Sequence, residues 1–254
     1  MDMKKLLEVM ERLRSENGCP WDKEQTRESL EPFLVEETYE VIEAIDEGDV
    51  EKIKEELGDL LFQIVFHCQI AKERGEFDFY DVVNTITEKM INRHPHVFGG
   101  EKVGTAKEVL IKWEEQKKKE GKDRNSILEG IPKTLPALLM AHRLQEKVSR
   151  VGFDWKELAE VIEKFDEELM EFRAAIKSGD KGKIEEELGD LFFVLVNLSR
   201  FLETNPEVAL RRAIQKFIKR FQYIEAKASE SGKKLSNMSL SDMDRLWEEA
   251  KGLQ

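Results

Sequence analysis

Residues 36–49 read EETYEVIEAIDEGD, and residues 167–180 read EELMEFRAAIKSGD. The second stretch begins 131 residues after the first, and the same interval carries EELGDLLF at 55–62 onto EELGDLFF at 186–193. Two flanking echoes lie 134 residues apart: Gly18 and Trp21 return as Gly152 and Trp155, and WEEQK at 113–117 returns as WEEAK at 247–251. A small change of interval is what a loop insertion produces. Self-similarity on this scale describes a duplicated domain, here two homologous modules over about 1–120 and 127–254. Between them the run KKKEGKDRNS at 117–126 has no apolar residue and reads as a solvated helix end passing into a linker at 121–126.

Within each module the apolar residues recur at helical spacing. Met3, Leu6, Leu7, Met10 and Leu13 share one face. A long helix is expected after Pro32, with Phe33, Leu34, Val41, Ile42 and Ile45 leading to a turn at Glu47-Gly48-Asp49. A second helix answers it, with Ile53, Leu57, Leu60, Leu61, Ile64, Val65 and Cys68 as a broad apolar face ending near Gly75. Residues 79–93 read as a third amphipathic helix, stopped by Pro95. Gly and Pro are sparse at 15 and 6 of 254 residues, and the prolines read as lying outside the long periodic stretches, which argues against a turn-rich β-sandwich. The expected fold class is all-α. A two-helix hairpin leaves apolar edges unsealed, so each module is expected to complete a four-helix-type bundle through a second copy, in a symmetric homodimer.

The net charge of −12 is the opposite of a nucleic-acid footprint, so DNA, RNA and anionic membrane are excluded as expected partners. An anionic nucleotide still fits, because a divalent ion bridges acidic side chains to phosphates. Cys19 and Cys68 have neither zinc spacing nor disulfide density. The amino-terminal stretch MDMKKLLEVMERLRSE lacks the uninterrupted apolar core of a signal peptide, and the longest strictly apolar run, Leu191–Val196, is far short of the roughly 20 residues of a membrane helix. A cytoplasmic protein is expected.

Spacing also organises the acids. Glu36, Glu37 and Glu40 precede Glu56 and Asp59 in the first module; Glu167, Glu168 and Glu171 precede Glu187 and Asp190 in the second. Residues three apart on a helix share a face, so each helix of a hairpin folded about Gly48 presents a pair of carboxylates to the other. For any one Glu in so charged a chain a solvated surface is the simpler explanation. For the set it is not: Asp59 lies among Leu57, Leu60 and Leu61, and Asp190 among Leu188, Leu191 and Phe192, which places both near the apolar face. Two carboxylates about 5 Å apart repel by roughly 3 kcal/mol at an effective dielectric of 20. Four together need a cation or raised pKa values. All-oxygen ligands without His or Cys favour Mg²⁺, with Mn²⁺ as its substitute. Gly58 and Gly189, costly inside a helix, point to a close backbone approach or a packing contact.

The combination of EExxE and ExxD, duplicated, with NGCPWD at 17–22 and RHPHVF at 93–98, resembles the MazG family of nucleoside triphosphate pyrophosphohydrolases in its two-module form, over essentially the whole chain. The family is similar to the all-α dUTPases. The resemblance implies Mg²⁺-dependent cleavage of nucleoside triphosphates between the α- and β-phosphates, giving a nucleoside monophosphate and pyrophosphate. It implies Glu37, Glu40, Glu56 and Asp59 as metal ligands in the first module and Glu168, Glu171, Glu187 and Asp190 in the second, with Glu36 and Glu167 placed to orient or deprotonate the attacking water. A triphosphate also needs cations beyond the metal. The resemblance implies Lys216 and Arg220, Trp247 and Lys251, and in the first module Lys89, Arg93, Trp113 and Lys117, as substrate-binding residues. The resemblance also implies that Asn197, seven residues beyond Asp190, helps line the nucleotide pocket. Its counterpart is Phe66, which makes the second module the better active-site candidate.

Two other classes compete. Di-iron carboxylate bundles use Glu-x-x-His, which is absent from this chain. A non-enzymatic helical scaffold would be indifferent to replacing Glu168 or Glu171 by Gln.

Overall fold

The computed structural model describes residues 2–100, 104–105, 108–109 and 126–253. Two compact units divide the chain, residues 1–123 and 124–254. All regular elements among the described residues are helical. Trp113, Lys117 and residues 121–125 of the expected linker lie outside the described residues.

The first unit opens with α1 (Met3–Arg14), capped by the Asp2 side chain, which accepts from the Lys5 N–H at 3.2 Å. Its apolar face packs onto the centre of the unit, formed by Met10, Leu30, Val65, Phe66 and Ile70. The chain then turns at Gly18, where a Cβ would fall 2.1 Å from the Leu13 carbonyl oxygen, so no other residue fits without moving the backbone. A short α2 (Pro20–Glu24) leads into α3 (Arg27–Glu47). This helix begins five residues before Pro32 instead of after it, because Thr26 and Ser29 form a capping box that fixes its first turn. Pro32 therefore stands inside a periodic stretch, contrary to the expectation for the six prolines. Lacking an N–H, it leaves the Glu28 carbonyl without the usual donor four residues on.

Gly48 then adopts the left-handed conformation (φ 72°) and Asp49 caps α4 (Val50–Glu73), accepting from the Glu51 and Lys52 N–H groups. The antiparallel hairpin of α3 and α4 follows. After α4 come α5 (Phe79–Arg93), opened by a capping box of Asp78 and Asp81, and the single turn α6 (Pro95–Phe98). The apolar face expected on α4 is only partly covered: Val65 and Cys68 are buried, while Leu57 and Ile64 are exposed.

In the second unit α7 (Ala137–Ser149) packs on the second helix of a hairpin formed by α8 (Leu158–Ser178) and α9 (Lys181–Phe201). The turn repeats the same chemistry, with Gly179 left-handed at φ 71° and Asp180 accepting from Gly182 and Lys183. Next come α10 (Pro206–Glu230), whose N-cap is Asn205, a 3₁₀ turn at Leu235–Asn237, and α11 (Leu240–Gly252), packed on α10. The two hairpins are thus one design built twice. A stripe of apolar side chains on α9 and α10, including Phe192, Leu195, Leu210, Ile214 and Phe217, stays exposed.

Candidate metal centre

Each hairpin brings carboxylates together as the spacing predicts. In the first unit, oxygens of Glu37, Glu56 and Asp59 lie within 4.8 Å of one another; in the second, those of Glu168, Glu171 and Glu187 do. The fourth expected acid of each set stands close enough to act electrostatically. Loss of hydration and then the Glu40 and Asp59 carboxylates raise the Glu56 pKa above its ordinary value. Loss of hydration, followed by Glu171 and Glu168 and then by Glu186 and Asp190, raises that of Glu187. Burial and Asp59 likewise raise Glu37, partly offset by a hydrogen bond from Gln63. Asp59 and Asp190 are exposed, not set into the apolar face. Among the described residues outside their own helix turns, no atom lies within 4 Å of where a Cβ on Gly58 or Gly189 would stand, so no close approach there accounts for them.

The units differ in what already neutralises the nest. On α8, Lys164 places its ammonium 2.7 Å from Glu168 and 3.0 Å from Glu167, and both acids raise its pKa. Glu168 is 8% exposed, so the lysine occupies the electrostatic place of a cation among oxygen ligands. The equivalent residue in the first unit is Phe33, which packs edge-on against Trp21. There Lys52, whose charge reaches Glu56, is held by Glu47 at 3.0 Å and Glu43 at 3.6 Å near the hairpin turn. Lys164 escaped the sequence reading, although its spacing of three and four from Glu167 and Glu168 was a usable signal. The donor chemistry fits a hard divalent cation. Three carboxylates converge in each unit, and neither cluster includes a histidine.

The MazG nucleotide pyrophosphohydrolase domain matches twice, at residues 25–98 and 155–224, each match enclosing one hairpin and its acids. The chain belongs to the MazG family. A nucleoside triphosphate pyrophosphohydrolase/pyrophosphatase MazG of Thermotoga maritima is 50% identical over 97% of this chain and 94% of its own length. A nucleoside triphosphate pyrophosphohydrolase of Escherichia coli K12 is 44% identical over 97% of this chain and 96% of its own. Membership of the MazG family makes this chain a hydrolase acting on acid anhydrides.

The remaining expected residues fall into three groups. On α10 and α11, the Arg220 guanidinium lies over the Trp247 ring at 5.5 Å and Phe217 packs against the same ring at 5.2 Å, while Lys216 and Lys251 are exposed. In the first unit Lys89 is half-buried and Arg93 is 5% exposed. Asn197 is half-buried on α9, whereas Phe66, its counterpart, is sealed in the core. Glu36 and Glu167 are exposed beside their clusters. No described helix is long and apolar enough to cross a membrane.

Proposed function

We propose that the second unit hydrolyses ribo- and deoxynucleoside triphosphates between the α- and β-phosphates, releasing pyrophosphate and a nucleoside monophosphate, with Mg²⁺ held by Glu168, Glu171, Glu187 and Asp190. The convergence of three of these carboxylates within 4.8 Å carries the reading. The names of the two relatives support the same substrate class. Bound Mg²⁺ supplies positive charge that offsets the developing charge on the phosphate oxygens.

The chain's own residues do the rest. Glu167, exposed and held at 3.0 Å by Lys164, is placed to accept a proton from the attacking water. That water forms a bond to a phosphorus flanking the α–β bridge, the bridging P–O bond breaks, and its electron pair leaves with one of the two products. Lys164, paired with Glu167 and Glu168, would keep a cation beside the phosphates when these acids hold the metal. Lys216, Arg220 and Lys251 add charge, and the Trp247 face stacks the base without reading its edge. The first unit keeps its acids, Glu37, Glu40, Glu56 and Asp59, as a second metal site, but Phe66 denies it the polar contact that Asn197 offers.

A second copy of the chain would cover the stripe of Phe192, Leu195, Leu210, Ile214 and Phe217, giving a homodimer with twice the 29.6 kDa mass. Sedimentation reads this directly, and Ile214→Glu should yield monomers. With two reduced cysteines and nucleotide substrates, the protein would act in the cytoplasm.

The deciding experiment incubates the protein with a panel of nucleoside triphosphates and Mg²⁺ and assays pyrophosphate against orthophosphate. Glu168→Gln should abolish pyrophosphate release with the fold intact, and Glu37→Gln should retain most of it. Activity unaffected by Glu168→Gln, or release of orthophosphate alone, refutes the proposal.

A further inference from the structure

A polar network at the far end of α9 is built in one unit only. Arg200 donates from Nη1 to Asp154 Oδ2 at 2.8 Å, from Nη2 to Asp154 Oδ1, and from Nη2 to Asn197 Oδ1 at 2.8 Å. The Arg200 side chain is largely buried, its guanidinium lies over the Phe201 ring at 4.9 Å, and its Nε is buried without a hydrogen-bond partner. Every bond the guanidinium makes goes to Asp154 or Asn197.

The internal repeat shows what the network accompanies. Stepping back 131 residues from Asn197 and Arg200 gives Phe66 and Gln69; stepping back 134 from Asp154, the interval of the neighbouring Gly and Trp, gives Pro20. All three members are missing together in the first unit. There the guanidinium of Arg14, from a different helix, lies over the Phe66 ring at 5.3 Å and is tied to Glu73. Both units put a guanidinium beside this position, but only the second uses it to hold an amide.

Asn197 stands two helical turns beyond Asp190 on the same face, about 10 Å along the axis. That is where the nucleoside of a nucleotide would extend if its phosphates were held at the acids. An unconstrained Asn amide offers a donor or an acceptor according to its flip. With Oδ1 accepting from Arg200, Nδ2 is the group left to donate, and it makes no hydrogen bond among the described residues.

We infer that Arg200, fixed by Asp154, is a positioning residue that orients Asn197 as an obligate hydrogen-bond donor, so that the second unit selects nucleotides presenting an acceptor atom at that position. The inference rests on the pyrophosphohydrolase reading and adds to it the polarity of one specificity contact.

Pyrophosphate release from each nucleoside triphosphate, measured with Mg²⁺ on the full-length protein, tests it. Asn197→Asp keeps the Arg200 bond but has no donor, so KM for the preferred nucleotide should rise roughly tenfold with kcat within about twofold. Arg200→Met frees the amide to flip and should raise KM comparably while narrowing the differences among nucleotides. The double variant Arg200→Met with Asn197→Ala should be no worse than Asn197→Ala alone, because Arg200 acts through Asn197. Arg200→Lys, which preserves the charge beside Asp154, serves if the Met variant does not fold, and should give a smaller rise in KM. Mn²⁺ binding should be unchanged in all of them. KM values equal to wild type for Asn197→Asp and the Arg200 variants, or additive losses in the double variant, overturn the positioning role while leaving the hydrolase standing. A wild-type protein that releases no pyrophosphate from any nucleotide overturns both.

Discussion

Lys164 sits 2.7 Å from Glu168, and the residue at the same point of the other hairpin is Phe33. One nest of acids thus carries an internal cation and the other does not. The unit with the lysine also has Asn197 and the Arg200 network, while the unit with the phenylalanine has Phe66 sealed in its core. Three separate positions therefore divide the two copies in the same direction. The duplicated fold holds two carboxylate-bearing hairpins, of which one also carries the lysine, the asparagine and the arginine network.

Removing that internal cation should leave Glu168 buried and uncompensated. Lys164→Met is expected to destabilise the second unit by about 1 kcal/mol, a small figure because the lysine is itself about a third exposed. Added Mg²⁺ should restore the loss. Thermal melts with and without the ion check this, and a variant whose deficit persists in saturating Mg²⁺ would show that the lysine serves packing alone.

The acids give the metal-free protein a defined pH response. Glu37, Glu56 and Glu187 have folded pKa values above the ordinary 4.5, so between that value and their folded ones the native state binds more protons than the unfolded chain. Their contribution therefore favours the fold at low pH and is lost as pH rises through the folded values. Metal ligands must be ionised, so the gain in melting temperature on adding Mg²⁺ should be larger at pH 8 than at pH 5. An equal gain at both would argue against carboxylate ligands.

Arg14 anchors the first unit without any part in the acid nest. Its side chain is 7% exposed, it pairs with Glu73 at 2.7 Å, and it donates to the Asp22 and Gln25 carbonyls. Arg14→Ala should cost about 2 kcal/mol, less than a fully buried pair because Glu73 is partly solvated. The hydrogen bond from Arg14 holds the Glu73 pKa below its ordinary value. This contribution is therefore present above pH 4.5 and fades as pH falls through the folded value, the reverse of the acid nest. Calorimetry should show the variant's first unit melting earlier with pyrophosphate release by the second preserved; loss of that release would mean the units depend on each other.

Much of this was legible from residue order alone. The duplication, the hairpin turns at Gly48 and Gly179 and the convergence of the acids all follow from local spacing, which a helix converts into geometry by a fixed rule. The start of α3 was not, because Pro32 is a strong breaker in isolation and the weaker Thr26 and Ser29 caps override it by fixing the turn before it. Asp59 and Asp190 were expected near the apolar side, but that side is covered only where another helix of the same unit lies across it. The Asp154–Arg200 pair joins residues 46 apart, a contact made by tertiary folding that no local pattern announces.

Crystals grown or soaked with Mn²⁺, examined by anomalous diffraction, test the central claim most directly. The account predicts a peak in the second unit bonded at about 2.1 Å to oxygens of Glu168, Glu171, Glu187 and Asp190, with the Lys164 ammonium displaced from Glu168. Carboxylates turned apart into solvent in both hairpins, with no peak between them, would contradict it.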